Sequence, residues 1–424
     1  MDDAANVRPE DLPRSGEYVA DLNVVPISGH SEGMFSEPQE FGRLRQRPGP
    51  VPVVTVAGHR AWLFVRHADV KALCADRRIG RSHATPEKAP RLWPAALMHP
   101  RPSPASEMVD HERWRAVFGP TFSARSIELR EGQVRARLDE LLDGVISRGT
   151  TADLSSELAR PFALAVISDV IGLPLTDRPL FAAWSDEMRN LRRREAALAM
   201  GAVVFERLDQ LLDHKRQHPR DDLLSQIATL AAQGVPLTRM QLIDGLKSIF
   251  LAGFDTVASR MEYGTLHLFT SSAGAASVLP EASGMPLMVE ELIRTVVPGG
   301  SWIPRYALAD VDYGATRIRR GDLVVLALQA ANRDPAVFDG ADTFRPDRSP
   351  NPHLGFGYGK FYCLGASLAR LQLRIFFPTL FARLPGLALS PDDEPEVDID
   401  SVTGGFTTLR VTWSGSAAPA GRQQ

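Results

Sequence analysis

The sequence predicts a mainly α-helical protein with a few small β-sheets, built as one domain. Three observations carry that expectation. Between about residues 109 and 275 apolar side chains recur at helical spacing. Strand signals, β-branched runs broken by Gly and Asp, are confined to residues 51–67 and 302–328. No internal repeat divides the 424 residues, so a single domain is expected over 1–424, with 1–20 and 415–424 as flexible tails.

Taken in order, residues 1–50 are polar, scattered with Pro and loop-like. In 51–67, Val51, Val53, Val54 and Val56 are β-branched and Gly58-His59 marks a turn, which gives two short strands. Residues 68–76 read as helix. The stretch 84–106 is rich in Pro, Ala and Arg and reads as a long loop, a length often used for lids and binding loops. Val134, Leu138, Leu141, Leu142 and Val145 fall on one face of a helix over 131–149. Helices follow over 196–218 and 222–232, with Asp221 and Asp222 placed to begin the second. Residues 239–270 are apolar enough for a buried central helix. A helix over 287–297, short strands over 302–328, an irregular stretch over 330–362 and a helix over 364–384 complete the chain.

Composition removes several function classes. Lys+Arg total 48 against Asp+Glu 51, so neither sign dominates and nucleic-acid binding is not expected. Cys74 and Cys363 are the only cysteines, too few for a disulfide framework or a multi-cysteine metal site. The polar start lacks a signal-peptide pattern, and no run of about 18 apolar residues could span a membrane. A cytoplasmic, bacterial, monomeric protein is expected. Cys74, in an apolar helical pattern, reads as a small buried hydrophobe. The run Arg189, Arg192, Arg193, Arg194 reads as a solvated helix face.

The chemistry concentrates at Leu354–Gly365. Glycines at 355, 357 and 359 prevent regular helix and allow close backbone approach to a flat partner. Cys363 then precedes Gly365 and a helix, which places its sulfur near a helix N-terminus that favours a metal-binding thiolate. The segment resembles the haem-binding loop of the cytochrome P450 family, through Phe356, Gly357, Gly359, Cys363 and Gly365. Phe361 departs from the pattern, because the family has His or Arg there to pair with a haem propionate. Other matches stand in the family's order. Ala252-Gly253-Phe254-Asp255-Thr256 resembles the oxygen-activation motif, with Gly253 and Thr256 expected to weaken and bend the helix into a groove. Glu291 and Arg294 resemble the family's Glu-x-x-Arg pair, and Phe344–Arg348 the segment that supplies its partner Arg348. His111 and Arg115, four apart and so on one helix face, match a further motif, and Arg305 a propionate-binding arginine.

The resemblance implies a triangular, mainly α fold enclosing haem b, with Cys363 as the iron ligand. It implies that Asp255 and Thr256 serve oxygen activation and proton relay, and that His111, Arg115 and Arg305 hold the propionates. Glu291, Arg294 and Arg348 would brace the haem loop. Family position suggests Ser248, Leu251, Ala252, Ser301, Ile303, Val402 and Thr403 for the substrate site, a largely apolar lining suited to a lipophilic small molecule. The implied activity is monooxygenation, hydroxylation or epoxidation, in secondary metabolism. Oxidative ring formation or coupling on the same fold is the alternative, and a non-catalytic haem protein a third reading. Electrons would come from a separate ferredoxin or flavodoxin, docking near Arg113, Lys360, Arg370 and Arg374.

Overall fold

A computed structural model of the chain describes residues 20–21, 35, 37, 39–47, 49–270, 283–296 and 302–415. The expected tails therefore lie almost wholly outside the described residues, as does Ser301. The principal helices are α1 (His67–Ala75), α2 (Glu107–Phe118), α3 (Glu131–Arg148), α4 (Arg160–Ile171), α5 (Arg178–Arg189), α6 (Arg194–Gln217), α7 (Leu223–Gln233), α8 (Arg239–Thr270), α9 (Met285–Thr295) and α10 (Ala366–Arg383). Each meets its sequence signal closely. Val134, Leu138, Leu142 and Val145 bury the inner face of α3, with Leu141 at its margin. Asp222 rather than Asp221 caps α7, its carboxylate accepting the Ser225 N–H at 2.8 Å.

Helix α8 spans 32 residues, roughly 48 Å at the helical rise, and runs through the largest core. It packs against α4, α6 and α10. Phe162, Phe250, Phe254, Phe376 and Phe377 fill the space between them, each fully buried. Among the described residues no helix is long and apolar enough to cross a membrane.

The main sheet has six strands: β1 (Ala20–Asp21), β2 (Val51–Val54), β3 (Arg60–Phe64), β4 (Ile79–Gly80), β5 (Trp302–Ala307) and β6 (Leu323–Ala327), in spatial order β1-β2-β3-β6-β5-β4. Strand β3 runs parallel to β6, with Leu63 opposite Val325, and β6 runs antiparallel to β5, with Val324 opposite Arg305. Strand alternation sorts β5 by face. Trp302 and Tyr306 enter a second core, while Ile303 and Arg305 point the other way and stay partly open. The stretch 84–106 is largely irregular, as expected, but it is well anchored. Leu92, Trp93 and Ala95 belong to that second core, and the Leu97 N–H donates to Met188 O at the end of α5 at 3.1 Å.

Candidate functional site

The Leu354–Gly365 loop folds back on itself through Gly357 N–H to Leu354 O at 2.7 Å and Cys363 N–H to Phe356 O at 2.9 Å. Gly357 and Gly359 take φ values of +70° and +69°, which disfavour any other residue. A Cβ on Gly359 would also come within 2.9 Å of the Cys74 carbonyl oxygen, so the loop sits directly against the end of α1. Cys74 itself is buried there, as expected.

Cys363 is accessible, yet protein surrounds it closely enough that burial pushes its thiol up from the ordinary value of 9.0. The Gly365 N–H and the charges of Arg115 and Arg370 pull the other way without prevailing. An accessible sulfur inside the protein envelope means a cavity. Burial thus opposes the thiolate that the helix N-terminus favours, and a coordinated metal would supply stabilising positive charge.

Helix α8 opens on interior space in the same way. Ala252 and Thr256 are exposed in mid-helix while Phe250, Phe254, Asp255, Val257 and Ala258 around them are buried. Ser248, Ala252 and Thr256 follow at four-residue spacing and so share a face. The hydroxyls of Ser248 and Thr256 donate back to Asp244 O and Ala252 O, each at 2.7 Å. Leu251 is half-buried beside them. Gly253 also serves close packing. A Cβ there would lie 2.6 Å from Ile167 Cδ1, so Gly253 lets α4 pack closely on the far side.

Asp255 also faces away from the open stripe. Its carboxylate accepts from Arg160 Nη1 at 2.9 Å and from the Ser185 hydroxyl, with Arg189 Nε at 3.7 Å. Arg189 is thus no part of a solvated face: it also pairs with Asp398 at 2.7 Å and Asp186 at 3.0 Å. Arg192 and Arg193 are exposed and pair with Asp400 and Glu187 at 2.9 and 3.0 Å.

Beyond the loop lies a basic cluster. His111 gives Nε2–H to Lys360 O at 2.9 Å, which leaves Nδ1 to accept from Arg81 Nη2 at 3.0 Å. Burial and the Arg81 charge lower its pKa to about 4, so the ring is neutral. Arg115 Nη1 donates to Tyr362 O at 3.0 Å and so grips the loop beside Cys363. Arg305 reaches the same region from β5, with its guanidinium 5.3 Å from the Phe361 ring centre.

Glu291, Arg294 and Arg348 form the buried network that the family resemblance implied. Arg294 meets both Glu291 oxygens at 2.8 Å, and Arg348 Nε lies 3.0 and 3.1 Å from them. Arg294 Nη1 donates to Asn332 O at 2.9 Å, and Asn332 Oδ1 accepts the Leu354 N–H at 2.7 Å. The network therefore fixes the start of the cysteine loop. Arg370, expected to be free for a partner, instead pairs with Glu290 at 2.6 Å.

Of the remaining expected lining residues, Ile303 shares the open face of β5 with Arg305. Val402 is buried in the second core, and Thr403 bonds Ser401 at 3.2 Å beside it.

Comparison with known proteins decides the family. A family model described as cytochrome P450 matches residues 284–409. Pentalenolactone synthase of Streptomyces exfoliatus is 33% identical, covering 88% of this chain and 95% of its own. The chain belongs to the cytochrome P450 family. Mycinamicin IV hydroxylase/epoxidase of Micromonospora griseorubida is 32% identical over 88% of this chain and 94% of its own. Among solved structures, a substrate-free pimaricin epoxidase superposes with a TM-score of 0.79 at 36% identity, covering 90% of this chain and 97% of its own. The chain is accordingly a P450 monooxygenase with the mainly helical P450 fold, and its relatives act in bacterial secondary metabolism.

The family implies a haem-thiolate cofactor, and this P450 has residues that fit it. Among the described residues no three His, Cys, Asp or Glu side chains converge on a metal, so Cys363 would be a lone protein ligand. The thiol is accessible, α8 offers an exposed stripe, and Arg81, Lys360 and Arg305 gather around the Phe361 ring on the same loop, cations of the kind that would hold acidic propionates. The sequence did not single out Arg81, Arg160, Ser185 or Glu107. The signal that could have led to Arg81 was Phe361, whose missing charge calls for a replacement.

Proposed function

We propose that this P450 hydroxylates or epoxidises a lipophilic small molecule in bacterial secondary metabolism, using haem b ligated by Cys363 and electrons from a ferredoxin or flavodoxin. The observation that carries the reading is the accessible Cys363 thiol inside the protein envelope, on a loop joined to α10, which packs against α8 and its open Ser248–Ala252–Thr256 stripe. When bound, the haem supplies the redox chemistry of dioxygen. The chain's own residues bind, orient and move protons around it.

Gly365 N–H and Arg115 lie beside the sulfur and steady its negative charge once a metal is present. Thr256 presents the hydroxyl that can hand a proton into the cavity, and Asp255 stands behind it as the acid nearest that point in the chain. Ser248, Leu251, Ala252 and Ile303 give a mostly apolar lining with few hydroxyls, which suits a lipophilic substrate. Relatives named for hydroxylation and epoxidation support this reading, and a biflaviolin synthase relative of similar coverage keeps oxidative coupling on the same fold as the alternative. Arg113 and Arg374, outside the Glu290 pair, are the better candidates for contacts to an acidic redox partner.

The carbon monoxide difference spectrum of the reduced protein tests this. Wild type should show the red-shifted Soret band of a thiolate-ligated haem, and Cys363→Ser should lose it. A wild-type protein without that band, or a Ser variant that keeps it, sinks the proposal.

A further inference from the structure

One aromatic ring gathers the basic groups of the site. The Arg81 guanidinium lies 4.3 Å from the Phe361 ring centre, the Lys360 ammonium 4.9 Å and the Arg305 guanidinium 5.3 Å. His111 is 4.6 Å from the same ring and neutral, so it adds no charge. Glu107 is the carboxylate within ion-pair reach of Arg81, at 3.8 Å. Its two oxygens are already committed to the backbone N–H groups of Arg81 and Ser82, at 2.7 and 2.9 Å. Arg81 Nε is buried and meets no hydrogen-bond partner. Burial, with the neighbouring Arg101 and Arg305 charges, holds the Arg81 pKa down to about 9. A partly withdrawn positive charge with a buried, unmet Nε–H is costly until an anion arrives.

We infer that Arg81 binds a haem propionate and takes over the contact that the family's basic residue makes from position 361. The inference rests on the haem-thiolate reading above. Phe361 fits this exchange. A cation there would add a like charge to a cluster already holding Arg81, Arg101, Arg115, Arg305 and Lys360. A ring instead offers its electron-rich face to Arg81 and Arg305 and keeps both near the propionates. His111 acts as a positioning residue: its one donor goes to Lys360 O, and its free lone pair orients Arg81.

Haem loss from the holoenzyme to excess apomyoglobin tests the inference. Arg81→Gln should release haem about tenfold faster than wild type, the effect of one charge-assisted contact. Arg101→Gln removes an exposed cation from the same neighbourhood and should change the rate by less than about twofold, since such charges are screened. Adding Phe361→His to Arg81→Gln should slow haem loss again. An Arg81→Gln rate equal to that of wild type overturns the inference, and so does a rate that Phe361→His leaves unchanged. A crystal structure of the unmodified holoenzyme reads the contact without a variant. An Arg81 nitrogen at about 2.7–3.2 Å from a propionate oxygen supports it. Propionates held by Lys360 or water alone, with Arg81 still on His111, refute it. The red-shifted carbon monoxide band in Arg81→Gln that still carries haem separates the two claims. If the band is present and retention is unaltered, only the Arg81 assignment fails.

Discussion

Glu291→Gln tests how far the buried network supports the cysteine loop. The carboxylate is fully buried and answers four groups. Arg294 donates to both oxygens at 2.8 Å, Arg348 approaches both at 3.0 and 3.1 Å, the Arg345 N–H reaches Oε1 at 2.9 Å, and Asn351 Nδ2 reaches Oε2 at 3.0 Å. Each oxygen therefore meets three donors. An amide must turn its own NH2 group against one of those sets, and it leaves two buried guanidinium groups without their counter-charge. Removing one member of a buried pair costs about 3–5 kcal/mol. For a chain of 424 residues the unfolding entropy is on the order of 0.9 kcal/mol per degree, so Tm should fall by about 3–6 °C. The pH dependence carries a sign as well. Burial raises the Glu291 pKa, but hydrogen bonds from Arg294, Arg345 and Arg348 and the charge of Arg294 outweigh it and hold the carboxyl below its ordinary 4.5. A depressed carboxylate stabilises the fold above its unfolded pKa and loses that contribution as pH falls through its folded value. The gap between wild type and Glu291→Gln should therefore narrow below pH 4.5. Thermal unfolding of both proteins across that range is the assay. A Tm shift under about 1 °C at neutral pH, or a gap that widens on acidification, would refute the reasoning.

Thr256→Ala should leave Tm nearly unchanged, because the hydroxyl only bonds Ala252 O within its own helix, yet reduce product formed per electron consumed by about tenfold or more. Full coupling in that variant would remove Thr256 from proton handling. Charge reversal at Arg113 and Arg374 together should slow reduction by an acidic ferredoxin several-fold, most at low salt, without altering substrate affinity. Stopped-flow reduction rates that do not respond would move the docking surface elsewhere.

Much of the fold was legible because its constraints are local. Helical spacing marked α3 and α7, a long apolar run marked α8, and β-branched residues around a Gly-His turn marked β2 and β3, since each signal depends on neighbours within a few residues. The cysteine loop was legible from its contiguous Gly and Cys pattern and its resemblance to a family motif, and the structure gives Gly357 and Gly359 the left-handed backbone that such glycines permit. What escaped depends on residues remote in sequence. Asp255 was visible, but Arg160, Ser185 and Arg189 come to it from α4 and α5. The basic run failed as a unit because it straddles a boundary. Helix α5 ends at Arg189 and α6 begins at Arg194, so the four arginines share no single face. Gly253 was visible as a glycine within a helix, but its small size also serves Ile167 across a helix contact that no local pattern announces.

Asp255 and Thr256 show what a contiguous motif can conceal. Adjacent helical residues point about 100° apart, so a sequence pair becomes two sites on two faces. Thr256 looks into the open interior, whereas Asp255 sits among Arg160, Ser185 and Arg189. Those partners hold the carboxylate firmly and also link it, through Arg160 and Asp186, to the protein surface, where Asp186 is about half exposed. A proton relay through Asp255, as proposed above, would therefore have to loosen its pair with Arg160. The motif's chemistry then depends on α4 and α5, which carry no part of its spelling, as much as on α8.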